Sequence, residues 1–210
     1  MAAVALAVLL PALGFGVLAT LRAADGQRAA AEERLRDTAR ALALAVEREI
    51  GRTTSALQAF ATSPVFKAAP ALADREAALA QAQALVGLVG NVSIAAPDGT
   101  VEVTTIEPLT TPQTLRLRSL DLVAHVVATG EPGVGNVVRG AVTARWIIPI
   151  IVPVRAEGGS AGLVIAGALN TEHVRQLLAA WDLDVANFAA LTDARNVVVA
   201  RSDAAHGQVV

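Results

Sequence analysis

From Ala2 to Leu21 no residue is charged, and Arg22 is the first to break the run. About 20 apolar residues in a helix span the hydrocarbon core of a bilayer. Residues 1–21 are therefore predicted as a transmembrane helix. Pro11, Gly14 and Gly16 would weaken a helix in water but are tolerated in lipid. A cleaved signal peptide is the competing reading. It fits less well, because the apolar run is long, a basic n-region is missing and no small-x-small site precedes Asp25.

Beyond the run the pattern becomes amphipathic. Leu35, Ala39, Leu42, Val46, Ile50, Thr53, Leu57 and Phe60 recur in steps of three and four, with Glu32, Arg36, Arg40, Glu47 and Arg48 on the other faces. That spacing predicts one long helix over residues 22–62, ended by Pro64. It serves as a stalk that pairs with a second copy, as a spine along its own domain, or as both. A second helix is predicted from Asp74, as N-cap, to Val86.

The period then shortens to two. Val92, Ile94 and Ala96 alternate, Pro97-Asp98-Gly99 supplies a turn, and Val101, Val103 and Thr105 alternate again, which predicts a hairpin. A helix is predicted from Ser119, as N-cap, to Thr129, with Gly130 as its stop. Three strands follow: Val134–Arg139, Ala144–Val154 and Ala161–Leu169, the last two linked by a turn at Glu157-Gly158-Gly159-Ser160. Pro149 and Pro153 inside the long strand predict an edge position or bulges. Asn170 caps a helix that carries Val174, Leu177, Leu178 and Trp181 on one face. A second strand–turn–strand, turning at Asp193-Ala194-Arg195-Asn196, echoes the first. The order helix, helix, two strands, helix, three strands, helix predicts an α+β fold with an antiparallel sheet.

Composition narrows the chemistry. The net charge of −2 gives no electrostatic case for nucleic-acid binding, and aromatics at 3% with no tyrosine offer no base-stacking platform. There is no cysteine, which excludes disulfides and thiolate chemistry. His125, His173 and His206 lie on different elements without the spacing of a metal pair, no Gly-x-Ser-x-Gly occurs, and Gly133-Val134-Gly135 lacks the lysine and helix of a phosphate loop. No enzyme, metal site or cofactor is predicted.

Several segments together resemble a known family. They are the apolar run, the helix around Asp37–Val46, Ala61-Thr62-Ser63-Pro64, the hairpin at Pro97-Asp98-Gly99, Ala128-Thr129-Gly130-Glu131-Pro132, the strand Ile147–Arg155 with Val152-Pro153-Val154-Arg155, and the strand Gly162–Leu169. This combination resembles the double Cache sensor region of bacterial transmembrane receptors, above all sensor histidine kinases. Diguanylate cyclases and chemoreceptors carry related regions. The resemblance implies a PAS-like membrane-distal module over residues 63–170, a connecting helix over 171–184 and a second, membrane-proximal module begun at 185 and cut off at Val210. It implies a globular part outside the cytoplasm, in the periplasm, and a cytoplasmic output domain further along. The chain departs from the amino-acid-binding members, which use tyrosines, a spaced arginine–tryptophan pair and an aspartate on the last strand. Here Arg145 and Trp146 are adjacent and Gly162–Asn170 holds no carboxylate.

The candidate ligand residues are Arg139, Arg145 and Trp146, joined by Thr104, Thr105 and Arg116 from the facing segment. An arginine clamps a carboxylate and a tryptophan gives an apolar wall. The competing reading makes the arginines solvated strand ends. The expected partners are a small-molecule ligand of carboxylate type, the membrane, and a second copy in a homodimer. The alternative function is a membrane-tethered dimerisation module without a ligand.

Overall fold

The computed structural model describes residues 2–66, 75–106, 115–141, 144–155, 161–181 and 188–202, with the backbone alone for residues 2–21, 24, 75, 88 and 161. Two compact units result, Met1–Leu44 and Ala45–Val210. The predicted span and stalk are one helix, α1 (Ala2–Ala61), which crosses the boundary between them. Among the described residues no helix is long and apolar enough to cross a membrane. The side chains of residues 2–21, on which that expectation rests, lie outside the described set.

In the first unit Leu35 is exposed. In the second unit the amphipathic stripe becomes a packed face, with Val46, Thr53, Leu57 and Phe60 buried. Pro64–Phe66 form a short 3-10 turn, and Phe66 packs edge-on against Phe60 with ring centroids 5.1 Å apart. Helix α2 (Arg75–Val89) runs three residues past its predicted end. Gly90 stops it, at φ +69, with its N–H bonded to Val86 O. The predicted cap, Asp74, lies outside the described residues.

The main sheet holds β1 (Ser93–Ala95), β2 (Val101–Thr104), β3 (Gly133–Val134), β4 (Val138–Arg139), β5 (Trp146–Arg155) and β6 (Ala161–Asn170). Its order is β2-β1-β6-β5-β3, with β4 also on β5, and every pair is antiparallel as expected. Gly167 of β6 faces Leu57 of α1. Alternation therefore puts Ile165, and its partners Val152 and Ile94, on the α1 side of the sheet. The opposite side carries Ala95, Ile151, Val164 and Ala166. They pack with Val123 and Val126 of α3 (Leu120–Thr129) in one buried cluster. Gly130 ends α3 in the left-handed conformation, as the sequence predicts.

Three expectations need correction. The strand Val134–Arg139 is two short strands interrupted by Gly135–Val137. Pro149 and Pro153 do not mark an edge, since β5 is paired on both sides. Pro149 O accepts from Gly135 N, and the reciprocal bond to Gly135 O is the one Pro149 cannot make, just past the end of β3. Pro153, four residues on, points the same way and lies beyond the last β3 pair, Gly133 with Ile151. Both prolines therefore fall outside the β3–β5 pairs Gly133–Ile151 and Val134–Ile150. The only register shift in the β5–β6 ladder falls between Val154 and Arg155. Trp181 is not on the buried face of its helix, because α4 (Thr171–Ala179) ends before it and leaves it 40% exposed. Val174 and Leu178 do bury, and Asn170 Oδ1 accepts from Glu172 N at 3.0 Å, the predicted cap.

The second hairpin, β7 (Ala190–Thr192) and β8 (Val198–Arg201), forms a separate two-stranded sheet. Its turn repeats the chemistry of the first. Asp98 Oδ1 accepts from Thr100 N, and Asp193 Oδ1 from Arg195 N, each at 2.9 Å.

Candidate functional site

Helix α3 covers only part of its face of the sheet. Beside it lies a cavity of about 90 Å³. Its floor is the sheet, through Ser93, Ile147, Pro149, Ile151, Ala166 and Ala168. Leu115–Ser119 form one wall and Val138–Ala141 the other. The first wall is an extra edge of the hairpin. Val101 N donates to Leu115 O and Leu117 N to Gly99 O, with Arg116 bridged to Thr100. Leu117 thereby points inward against the buried cluster.

The wall ends at Ser119, which is only 6% exposed. The sequence predicts that its hydroxyl caps α3. It occupies the cap position, but at φ −99 and ψ 63 its side chain makes no capping bond. The hydroxyl borders the cavity with no hydrogen-bond partner among the described residues. Next to it, exposed Arg118 makes no hydrogen bond or ion pair among the described residues. Neither residue stood among the sequence candidates. The available signal was the run Leu115–Ser119, where apolar and basic residues alternate up to a serine at a helix start.

Of the six predicted residues, Arg116 and Arg139 border the cavity. Arg116 Nη2 donates to Asp98 O and lies 3.5 Å from its carboxylate. The Asp98 pKa is held below the ordinary carboxylate value, first by Thr100 N–H, then by Thr100 Oγ1–H, with the charge of Arg116 adding to them. The Arg139 guanidinium sits over the Trp146 ring, 4.9 Å from its centroid. Both residues alternate away from Val138 and Ile147, their neighbours on the cavity side of the ladder. Trp146 therefore braces Arg139 and does not line the cavity. Arg145 is exposed, its carbonyl accepts from Gly140 N, and it is not among the residues that line the cavity. Thr104 Oγ1 bonds Ser93 Oγ at 3.0 Å, and Thr105 Oγ1 accepts from Val92 N at 2.9 Å. The two threonines close the hairpin; Thr104 shares the face of Ser93, and neither threonine lines the cavity.

The second wall is held from outside. Val137 N donates to Asp193 Oδ2 at 3.3 Å, and Arg195 Nη2 donates to Val137 O at 3.0 Å. The Asp193 side chain is 5% exposed. Its burial pushes the pKa up, but N–H donors from Val197, Arg195 and Val137 and the Arg195 charge outweigh that, so it lies below the ordinary value. Among the described residues no group of three or more acidic or histidine side chains converges as a metal site.

The same fold recurs in solved structures. The ligand-binding domain of the Campylobacter jejuni chemoreceptor Tlp3, in complex with 4-methylisoleucine, superposes with a TM-score of 0.64 at 15% identity, over 80% of this chain and 68% of that one. That of the Pseudomonas fluorescens chemoreceptor CtaA, with L-isoleucine, gives 0.64 at 15% identity, over 82% and 69%. The Pseudomonas aeruginosa amino-acid chemoreceptor PctC, with GABA, gives 0.58 at 17% identity, over 76% and 69%. The fold is that of a chemoreceptor ligand-binding domain. This agrees with the Cache-type sensor fold expected from the sequence. No protein-family model and no curated protein matches the chain.

Proposed function

We propose that this chain is the extracytoplasmic small-ligand sensing region of a membrane-anchored bacterial receptor, and that it is not itself catalytic. The observation that carries the reading is the cavity between the sheet and the wall 115–119, with Ser119 at its border and no partner for the Ser119 hydroxyl among the described residues. Three chemoreceptor domains of the same fold have structures in complex with small molecules. In this reading residues 1–21 anchor the chain and α1 pairs with a second copy. A ligand favours one packing of the sheet against its walls, and α1 carries that preference toward the membrane. The resemblance in the sequence favours a histidine kinase as the whole receptor. The shared fold favours a chemoreceptor, and both place a sensor ahead of a cytoplasmic output.

The test is a thermal-unfolding screen of the full chain in detergent against amines, sugars, nucleosides, amino acids and organic acids. A ligand that binds only the folded state adds about 2.7 kcal/mol at a hundredfold excess over its Kd. A shift by at least one class is expected. A folded protein that shifts with none would refute the sensor reading and favour a dimerisation module without a ligand.

A further inference from the structure

Size and charge at the cavity restrict the ligand further; this step rests on the sensor reading above. An apolar cavity of about 150 Å³ holds a benzene-sized molecule, so this one, at about 90 Å³, holds roughly four non-hydrogen atoms. The floor is apolar, built from Ile147, Pro149, Ile151 and Ala166. Arg118 and Ser119 border the cavity, and neither side chain has a partner among the described residues. Arg116 lies beside them but is already committed to Asp98. Among the described residues no Asp or Glu lines the cavity. A carboxylate therefore finds a charged and a neutral donor, while its short alkyl tail covers the sheet. An ammonium group finds no counter-charge and sits beside a guanidinium, and an unpaired charge out of water is costly.

We infer that the cavity takes a short-chain monocarboxylate without an amino group, of acetate or propionate size, with its carboxylate between Arg118 and Ser119. The ligands in the related chemoreceptor structures all carry an ammonium group, so this site selects a different chemistry on the same fold.

The test pairs each acid with its amino analogue. Acetate, propionate, glycine and alanine are titrated at matched ionic strength in carboxylate-free buffer. Binding is followed by tryptophan fluorescence and thermal shift of the full chain and of Arg118→Gln and Ser119→Ala. Losing a charged hydrogen bond weakens Kd roughly 10- to 100-fold, and losing a neutral one roughly 2- to 10-fold. Expected are saturable binding of the acids, amino analogues weaker by at least about tenfold, and losses of those sizes in the two variants. The unliganded unfolding temperatures of the variants show that they fold. Amino acids binding as tightly as the acids would overturn the inference and leave the sensor reading intact. So would acids that bind both variants unchanged, since their site would then lie elsewhere. If neither acids nor amino acids bind, the inference fails, and the sensor reading stands or falls with the broader screen.

Discussion

Gly167→Ala tests how firmly the sheet seats against α1, the contact that has to carry any signal from one to the other. A Cβ at Gly167 would lie 2.8 Å from Leu57 Cδ1, 3.3 Å from Cδ2 and 3.5 Å from Cγ. Leu57 is fully buried, so its side chain cannot swing into solvent. Overpacking of this kind costs about 1–3 kcal/mol. Replacing a strand glycine returns about 0.5–1 kcal/mol of chain entropy. The net expectation is a loss near 1 kcal/mol, or about 2–4 °C in Tm for a unit of this size. Leu57→Ala alone removes all three clashing atoms and leaves a cavity, at about 2–5 kcal/mol. In that background the added methyl fills space, and the sign reverses: Gly167→Ala now stabilises, by about 0.5–1 kcal/mol. The assay is urea unfolding of the four chains of the cycle, read by tryptophan fluorescence. A favourable coupling of about 1–3 kcal/mol is expected. If Gly167→Ala destabilises equally in both backgrounds, Leu57 is not what the sheet rests on and the packing argued here is wrong.

Other outcomes follow from single groups. Thr53 is buried on the same face of α1 and its Oγ1 has no hydrogen-bond partner among the described residues, so Thr53→Val should raise stability by about 1 kcal/mol in the same unfolding assay. Asn170→Ala removes the cap of α4 and should lower stability by about 0.5–2 kcal/mol. The Asp193 pKa lies below the ordinary value of 3.8 in the folded chain. Its stabilising contribution is complete above that value and is lost as pH falls through the lowered one. The Tm difference between wild type and Asp193→Asn should therefore shrink on acidification, and a constant difference from neutral to acid pH would refute the role given to its charge.

The elements were legible in the sequence because each carries a local signal. The three- and four-residue steps of α1, the Pro97-Asp98-Gly99 turn, the Gly130 stop and the Asn170 cap act within a few residues of themselves. Pairing was less legible. Prolines report only that a donor is missing, and whether that marks an edge depends on the facing strand. Here β3 and β4 leave gaps opposite Pro149 and Pro153, so an interior strand tolerates both. The site was the least legible part. Arg139 and Trp146 were selected as a ligand clamp, yet they satisfy one another across a strand pair. Ser119 was assigned to a helix cap, although its backbone angles turn the hydroxyl away from that duty. Side-chain type alone does not separate a residue that serves its own fold from one left over for a ligand. The hydrogen-bond ledger does.

That ledger also explains why the echo between the two hairpins matters. Asp98 spends both carboxylate oxygens on its own turn and Asp193 spends Oδ1, and each turn also holds a wall of the cavity. Asp98 holds the first wall through Arg116, using its carbonyl and its carboxylate. Asp193 holds the second wall through Val137 N, while Arg195 takes Val137 O. Val138 and Arg139, next in the chain, border the cavity. A ligand that displaces either of them pulls on Val137, and Val137 cannot move far without breaking two hydrogen bonds to the second hairpin. The first clasp lies within the sheet that forms the floor. The second reaches a separate sheet, which packs on α4 through β8. Motion at the first wall therefore stays local, and motion at the second is passed out of the cavity toward the C-terminal hairpin. The route rests on an interrupted strand, because a continuous β3–β4 would have spent the Val137 hydrogen bonds on β5.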